Sequence, residues 1–304
     1  MKWMDPSKRR EYYAKYKRVN VKNDQGWFEV YELPGKVYAI CEPQHYEEVN
    51  AFLAIGSESA LLIDTGMGVC DISRLVTELW DGPLSLVNTH SHFDHTGGNY
   101  LYSEAWGVDE ATSRRIASEG ISGSLFGQYL DEDMFLLGYP EGFKPEEYRL
   151  RPYRLKPCED GHIFELGDRK LEFISTPGHT KDSAMLYDHK NKILFTGDMF
   201  YLGGLCLMFD SPEFGLSSFE DYIASIEKVF KRCPDVEKLY VSHNDFIADA
   251  AYLNKLLKAL KEVHEGRAKG KPLENVRLSH GEDPSKLLSF DFEGFSIAVH
   301  ERFL

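Results

Sequence analysis

Residues 87–99 read VNTHSHFDHTGGN, with three histidines and one aspartate inside six positions and two glycines closing the run. The chain holds only eleven histidines, so this stretch concentrates a scarce residue. On a helix of about 3.6 residues per turn, side chains two positions apart diverge by roughly 200°. On extended backbone they share a face. His90 and His92 can therefore aim at one point only if the segment is extended, and the preceding Leu84–Val87 reads as a buried strand. The stretch is expected to be a strand running out into a loop that carries ligands.

Working outward, strand-like runs appear at 28–31, 37–41, 51–55 and 60–63, the last two joined by a hairpin turn at 56–59. Others follow at 162–166, 170–175, 185–187, 193–195 and 239–241, with a second hairpin across 188–191. Residues 7–18 are expected as a polar, basic N-terminal helix within a basic segment 1–20, and 109–118 as a helix. Ser218 is placed to cap a helix carrying Tyr222, Ile223, Ile226, Val229 and Phe230, which stops before Pro234. Leu253, Leu256, Leu257, Leu260 and Val263 mark an amphipathic helix. Residues 120–157 are rich in Gly, Pro and aromatics without a steady period, and they read either as a lid-like insertion over a site or as a segment packed on the body. Two sheets with helices outside fit this pattern.

Five of the strand-like runs end on a candidate ligand: Asp64 after 60–63, His90 after 84–89, His179 after 172–178, Asp198 after 193–197, and His243 after 239–242. Together with the histidine cluster, they imply one rim of loops that gathers metal ligands.

On these residues the sequence resembles the metallo-β-lactamase superfamily of hydrolases. The resemblance rests on HxHxDH (His90, His92, Asp94, His95), on Asp64 in LLIDTG, His179 in TPGHT, Asp198 in FTGD and His243 in VSHND, all in the family's order. It implies an α+β fold, a four-layer αββα sandwich, with the site between the two sheet edges. It further implies one metal on His90, His92 and His179 and a second on Asp94, His95 and His243. Asp198 would bridge both, and Asp64 would support a ligand histidine from behind. Two Zn2+ suit this donor set, with Fe or Mn as other occupants. A hydroxide shared by two zinc ions would attack the substrate carbonyl, with Asp94 orienting it and taking its proton.

Composition narrows the class. The chain has 304 residues, 42% of them hydrophobic, and is expected to form a single domain over 1–304. Its net charge of −14 argues against a nucleic-acid partner, whose affinity would come from clustered Lys and Arg. Five scattered cysteines, no CxxC, no secretory leader and no apolar span together point to a cytoplasmic protein with no membrane partner. An oligomer is open, with Trp3, Tyr12, Tyr13 and Tyr16 as a contact, though packing on the chain's own body is the favoured use.

Differences inside the motif separate the branches of the family. His92 stands where flavodiiron oxygen reductases carry glutamate, and Asp198 where many true β-lactamases have cysteine or lack the bridging acid. The expected activity is hydrolysis of a small ester, thioester or lactone with a largely apolar acyl group, as in glyoxalase II-like thioesterases and lactonases. Tyr201, three residues after Asp198, is a candidate donor to the carbonyl oxygen. The aromatics of 120–157, with Met199 and Tyr201, are expected to line or cover the pocket. The alternatives are a mononuclear iron persulfide dioxygenase, a β-lactamase-like amide hydrolase, and a catalytically idle metal-binding protein.

Overall fold

A computed structural model of the chain describes residues 11–273 and 284–304. Two large sheets face each other. The first has eight strands, in the spatial order Lys17–Val19, Glu29–Leu33, Val37–Cys41, Asn50–Ile55, Ala60–Ile63, Leu84–Val87, Ala105–Gly107, Leu155–Pro157. Its first five strands run antiparallel, and the rest join in parallel. The second has six: Ile163–Glu165, Lys170–Ser175, Ala184–Asp188, Ile193–Phe195, Lys238–Tyr240, Ile247–Asp249.

Alternation along the strands builds the layers. Leu61 and Ile63 point between the sheets, where they join Ala39, Phe52, Leu171, Phe173, Leu186 and Phe195 in one buried cluster. Leu62, Leu53 and Ile40 point the other way and pack against Ile72, Leu75 and Val76 of the helix Ile72–Leu79. On the far side of the second sheet, Met185, Leu194 and Leu239 meet Tyr222, Ile226 and Val229 of the helix Phe219–Arg232. Leu253, Leu256, Leu260 and Val263 of the helix Tyr252–His264 complete that layer. The result is the expected four-layer αββα sandwich. Ser218 does cap its helix, its hydroxyl accepting from the Asp221 N–H at 3.2 Å.

Three differences from the sequence reading stand out. The described part of the N-terminal segment is a short 3-10 turn, Glu11–Lys15, followed by the edge strand Lys17–Val19, so the helix over 7–18 is not continued there. Its aromatics decide the matter: Tyr13 stacks on Phe246 and Tyr31 with centroids 5.0 and 5.6 Å away, and Tyr16 donates to Asp245 at 2.5 Å. Trp3 and the cluster Lys8-Arg9-Arg10 lie outside the described residues. The helix Ile72–Leu79 was not anticipated. Nor was a third sheet, ordered Gly204–Leu207, Phe295–His300, Leu287–Phe292, Lys271–Pro272.

Residues 120–157 form four 3-10 turns and a small ladder between Ile121–Ser122 and Arg149–Leu150, before Leu155–Pro157 joins the first sheet as an edge strand. Phe126, Leu130, Tyr148 and Leu150 are buried in one cluster with Phe93.

Candidate metal centre

The five ligand-bearing strand ends meet at one end of the sandwich. His90, His92, His179 and Asp198 present one donor atom each, all within 4.8 Å of one another, and Asp94, His95 and His243 do the same beside them. Every one of these residues is buried. His92 caps the short helix Phe93–Thr96 from an extended conformation, so the chain turns at once from strand to helix and spreads four ligands over two faces. Gly97, at the other end of that helix, allows a close approach. A Cβ there would lie 2.0 Å from the carbonyl carbon of Met67, so no other residue fits between this helix and the neighbouring loop.

Asp198 sits between the two groups. Its Oδ2 is 3.6 Å from His179 Nε2 and 4.0 Å from His90 Nε2, while its Oδ1 is 3.2 Å from His95 Nε2 and 3.1 Å from His243 Nε2. One carboxylate thus turns one oxygen to each half. Asp94 Oδ2 lies 3.6 Å from both His95 and His243.

Behind each histidine an acceptor fixes the ring and its tautomer. His92 Nε2–H donates to the Phe214 carbonyl at 2.9 Å, His179 Nδ1–H to that of Cys206 at 3.0 Å, and His243 Nδ1–H to that of Glu47 at 2.8 Å. His95 Nδ1–H donates to Asp64 Oδ2 at 2.9 Å. Thr89 gives its own N–H and O–H to the two Asp64 oxygens, both at 2.8 Å, which leaves its hydroxyl oxygen to accept from His90 Nδ1 at 3.2 Å. In its neutral form each of the five rings would therefore turn an unprotonated nitrogen to the centre: Nδ1 of His92 and Nε2 of the others.

This arrangement fits metal ions. His90 Nε2 is buried without a hydrogen-bond partner, a costly state for a protein atom alone. His179 Nε2 and His92 Nδ1 lie 3.2 Å apart with both protons committed elsewhere, so two lone pairs face each other until a cation comes between them. Burial and the neighbouring imidazoles push His90 well down, and burial brings His92 and His179 to about 4, which keeps these rings neutral as ligands must be. In the other half burial also opposes charge, but Asp198 and Asp94 outweigh it. They raise His95 well above its usual value, helped there by Asp64, and His243 to about 9. Without an ion, protons occupy that half.

Asp64 stands outside the donor set, as a support for His95 and, through Thr89, for His90. Its backbone adopts the left-handed φ of 63°, open to aspartate and asparagine more than to most residues. The Tyr201 ring lies against His243, centroids 4.8 Å apart, and its hydroxyl donates to the Gly204 carbonyl at 2.6 Å. Met199 is buried in the helix-side core. Sequence reasoning missed the segment after Gly204: Phe209 packs edge-on against His92 and His179 at 4.6 and 5.1 Å, and Phe214 against His92 at 5.8 Å. It also missed the carbonyls of Glu47, Cys206 and Phe214.

With this geometry in place, the chain can be set beside known proteins. A model of the metallo-beta-lactamase superfamily matches residues 47–243. The acyl-coenzyme A thioesterase MBLAC2 of Gallus gallus is 30% identical over 242 residues, covering 74% of this chain and 84% of that protein. The hydroxyacylglutathione hydrolase GloC of Haemophilus influenzae is 25% identical over 171 residues, 56% of this chain and 72% of its own length. Among solved structures, a metallo-beta-lactamase from Pontibacter korlensis superposes with a TM-score of 0.56 at 19% identity, covering 77% of this chain and 99% of that one, a likeness of fold. Among the described residues, no helix is long and apolar enough to cross a membrane.

Proposed function

This chain belongs to the metallo-beta-lactamase superfamily, and from that footing we propose that it is a metal-dependent hydrolase that holds two zinc ions and cleaves the thioester of a small, largely apolar acyl group. The observation that carries the reading is Asp198, which turns one oxygen to each of two separate ligand groups. His90, His92 and His179 would hold one ion and Asp94, His95 and His243 the other, with Asp198 shared. When bound, the pair supplies Lewis acidity toward the carbonyl and a nucleophile available near neutral pH.

The protein's own groups do the rest. Asp94 orients the attacking water and takes its proton. The rings of Phe209 and Phe214 stand beside His92 in a buried apolar cluster with Met67, Phe93 and Met208, the apolar side on which an acyl group would rest. Tyr201 can serve the carbonyl oxygen by turning its O–H from Gly204. A thiol has a pKa near 8.5, so the leaving sulfur departs as thiolate without a dedicated acid. Two relatives support the choice of thioester, one a thioesterase of acyl-coenzyme A and one a hydrolase of hydroxyacylglutathione.

The test is elemental analysis of protein purified without added metal, paired with turnover of acyl thioesters, aryl esters and lactones before and after chelation. Two zinc ions per chain with chelator-sensitive thioester cleavage support the reading. One iron per chain with no hydrolysis overturns it in favour of oxidative chemistry.

A further inference from the structure

We propose that His45 is a positioning residue that fastens the 120–157 insertion to the loop orienting His243, so that the insertion and the Asp94/His95/His243 half act as one unit. This rests on the reading of that half as a metal site.

His45 is fully buried and lies outside both ligand groups. Its Nδ1 accepts the Glu47 N–H at 3.1 Å, which leaves the ring proton on Nε2, where it is donated to the Tyr129 carbonyl at 2.9 Å. Burial lowers its pKa to about 4, consistent with the neutral ring this pairing requires. One neutral imidazole thus ties the Glu47 backbone to that of Tyr129, which is 84 residues from His45 in sequence. The ring packs edge-on against Phe135 at 4.9 Å. Around it the backbones are laced together, Tyr46 N–H donating to Met134 O at 3.0 Å and Leu136 N–H to Gln44 O at 2.7 Å.

The other side of the same loop faces the metal half. The Glu47 carbonyl receives His243 Nδ1–H at 2.8 Å. Glu48, in a left-handed conformation at φ 45°, gives its carbonyl to Asn244 N–H at 3.2 Å, and Asn50 N–H donates to Ser242 O at 2.6 Å. The loop from Glu42 to Asn50 is therefore a plate with the insertion bonded to one edge and the His243 loop to the other. His45 is the side chain that fixes the peptide whose next carbonyl sets the His243 ring. Outer partners of this kind commonly change metal affinity by about 10–100-fold when removed, and His45 stands one step further out, so the lower end applies.

The experiment strips the full-length protein of metal and titrates it with cobalt, whose spectrum separates the two halves by reference to His179→Ala and His243→Ala. Backbone hydrogen exchange is followed in parallel. His45→Phe keeps the shape and removes both polar contacts. It is expected to weaken the Asp94/His95/His243 half about tenfold, leave the His90/His92/His179 half unchanged, and speed exchange at Tyr46 and Leu136. His45→Asn can still accept from Glu47 but cannot reach Tyr129, and is expected to retain metal affinity while the two amides exchange faster. This second variant carries the test if the first does not fold. Equal weakening of both halves, unchanged exchange, or loss of affinity in His45→Asn equal to that in His45→Phe overturns the inference. Wild-type protein that takes up no metal overturns the proposed function as well, whereas two bound ions with unmoved variants overturn the coupling alone.

Discussion

Replacing Asp64 by Asn changes one oxygen to an amide nitrogen, and the hydrogen-bond chain around it converts that swap into a change at the metal centre. Asp64 accepts three donors, Thr89 N and Oγ1 at 2.8 Å each and His95 Nδ1 at 2.9 Å. Asparagine tolerates the left-handed backbone here, so the fold is preserved. Its amide oxygen keeps Thr89 N–H, which turns the NH2 group toward Thr89 Oγ1 and His95 Nδ1. His95 must then accept at Nδ1 and carry its proton on Nε2, the atom facing Asp94 and Asp198. Thr89, now receiving a hydrogen bond, offers its own proton to His90 Nδ1 and flips that ring too. Ligation by either ring requires giving up a bond to the new amide or to Thr89, so affinity in both halves is expected to fall about 10–100-fold, or about 1.4–2.8 kcal/mol. Chelator competition with zinc, beside a denaturant melt to show retained folding, measures it. A well-folded Asp64→Asn protein with wild-type affinity in both halves would refute the tautomer argument.

Other consequences are open to measurement. In chelated protein, His92 and His179, lowered to about 4, contribute stability that is present at pH 6.5 and lost as pH falls through 4. His243, raised to about 9, contributes stability present below pH 6.5 and lost as pH rises through 9. The contribution of these three histidines should therefore peak near pH 6.5, and a metal-free His243→Gln protein whose denaturation midpoint falls between pH 6.5 and 9 as steeply as that of the wild type would contradict the assignment. Arg169, buried between the sheets, donates to the Ile55 carbonyl at 3.2 Å and pairs with buried Asp188, so Arg169→Leu should cost about 3–5 kcal/mol in urea unfolding, with part recovered by adding Asp188→Asn. Phe209→Ala should lower kcat/KM for small apolar acyl thioesters such as butyryl by about tenfold or more and for acetyl ones by less, since the lost ring removes about 1.5–3 kcal/mol of apolar contact.

The sandwich was legible because its strands alternate and its ligands stand at strand ends; Leu61, Ile63 and Asp64 show both signals within four residues. The seven ligand candidates were legible from the HxHxDH spacing of His90, His92, Asp94 and His95, the strand-end placement of His179, Asp198 and His243, and the family resemblance these motifs carry. What supports them was not. The acceptors for His92, His179 and His243 are backbone carbonyls, identical in every residue, and only the folded chain shows that Phe214, Cys206 and Glu47 bring theirs to the right place. The N-terminal segment misled because its polar, basic residues read as a helix, yet Phe246 and Tyr31 hold Tyr13, and Phe246 holds Tyr16, at a sheet edge. Helix Ile72–Leu79 carries apolar residues at helical spacing and an Asp71 cap, but at eight residues it is too short to stand out.

The third sheet bears on how the molecule is made. Cys206, whose carbonyl orients His179, belongs to a strand paired in parallel with Phe295–His300, Leu207 lying opposite Val299. About 90 residues separate the two partners, so at 5–20 residues per second the ribosome leaves Gly204–Leu207 an unpaired edge for roughly 5–20 seconds. Throughout that interval one histidine of the centre has no fixed backing. A centre that needs His179 held by the Cys206 carbonyl is then completed only once Phe295–His300 has been made and has paired.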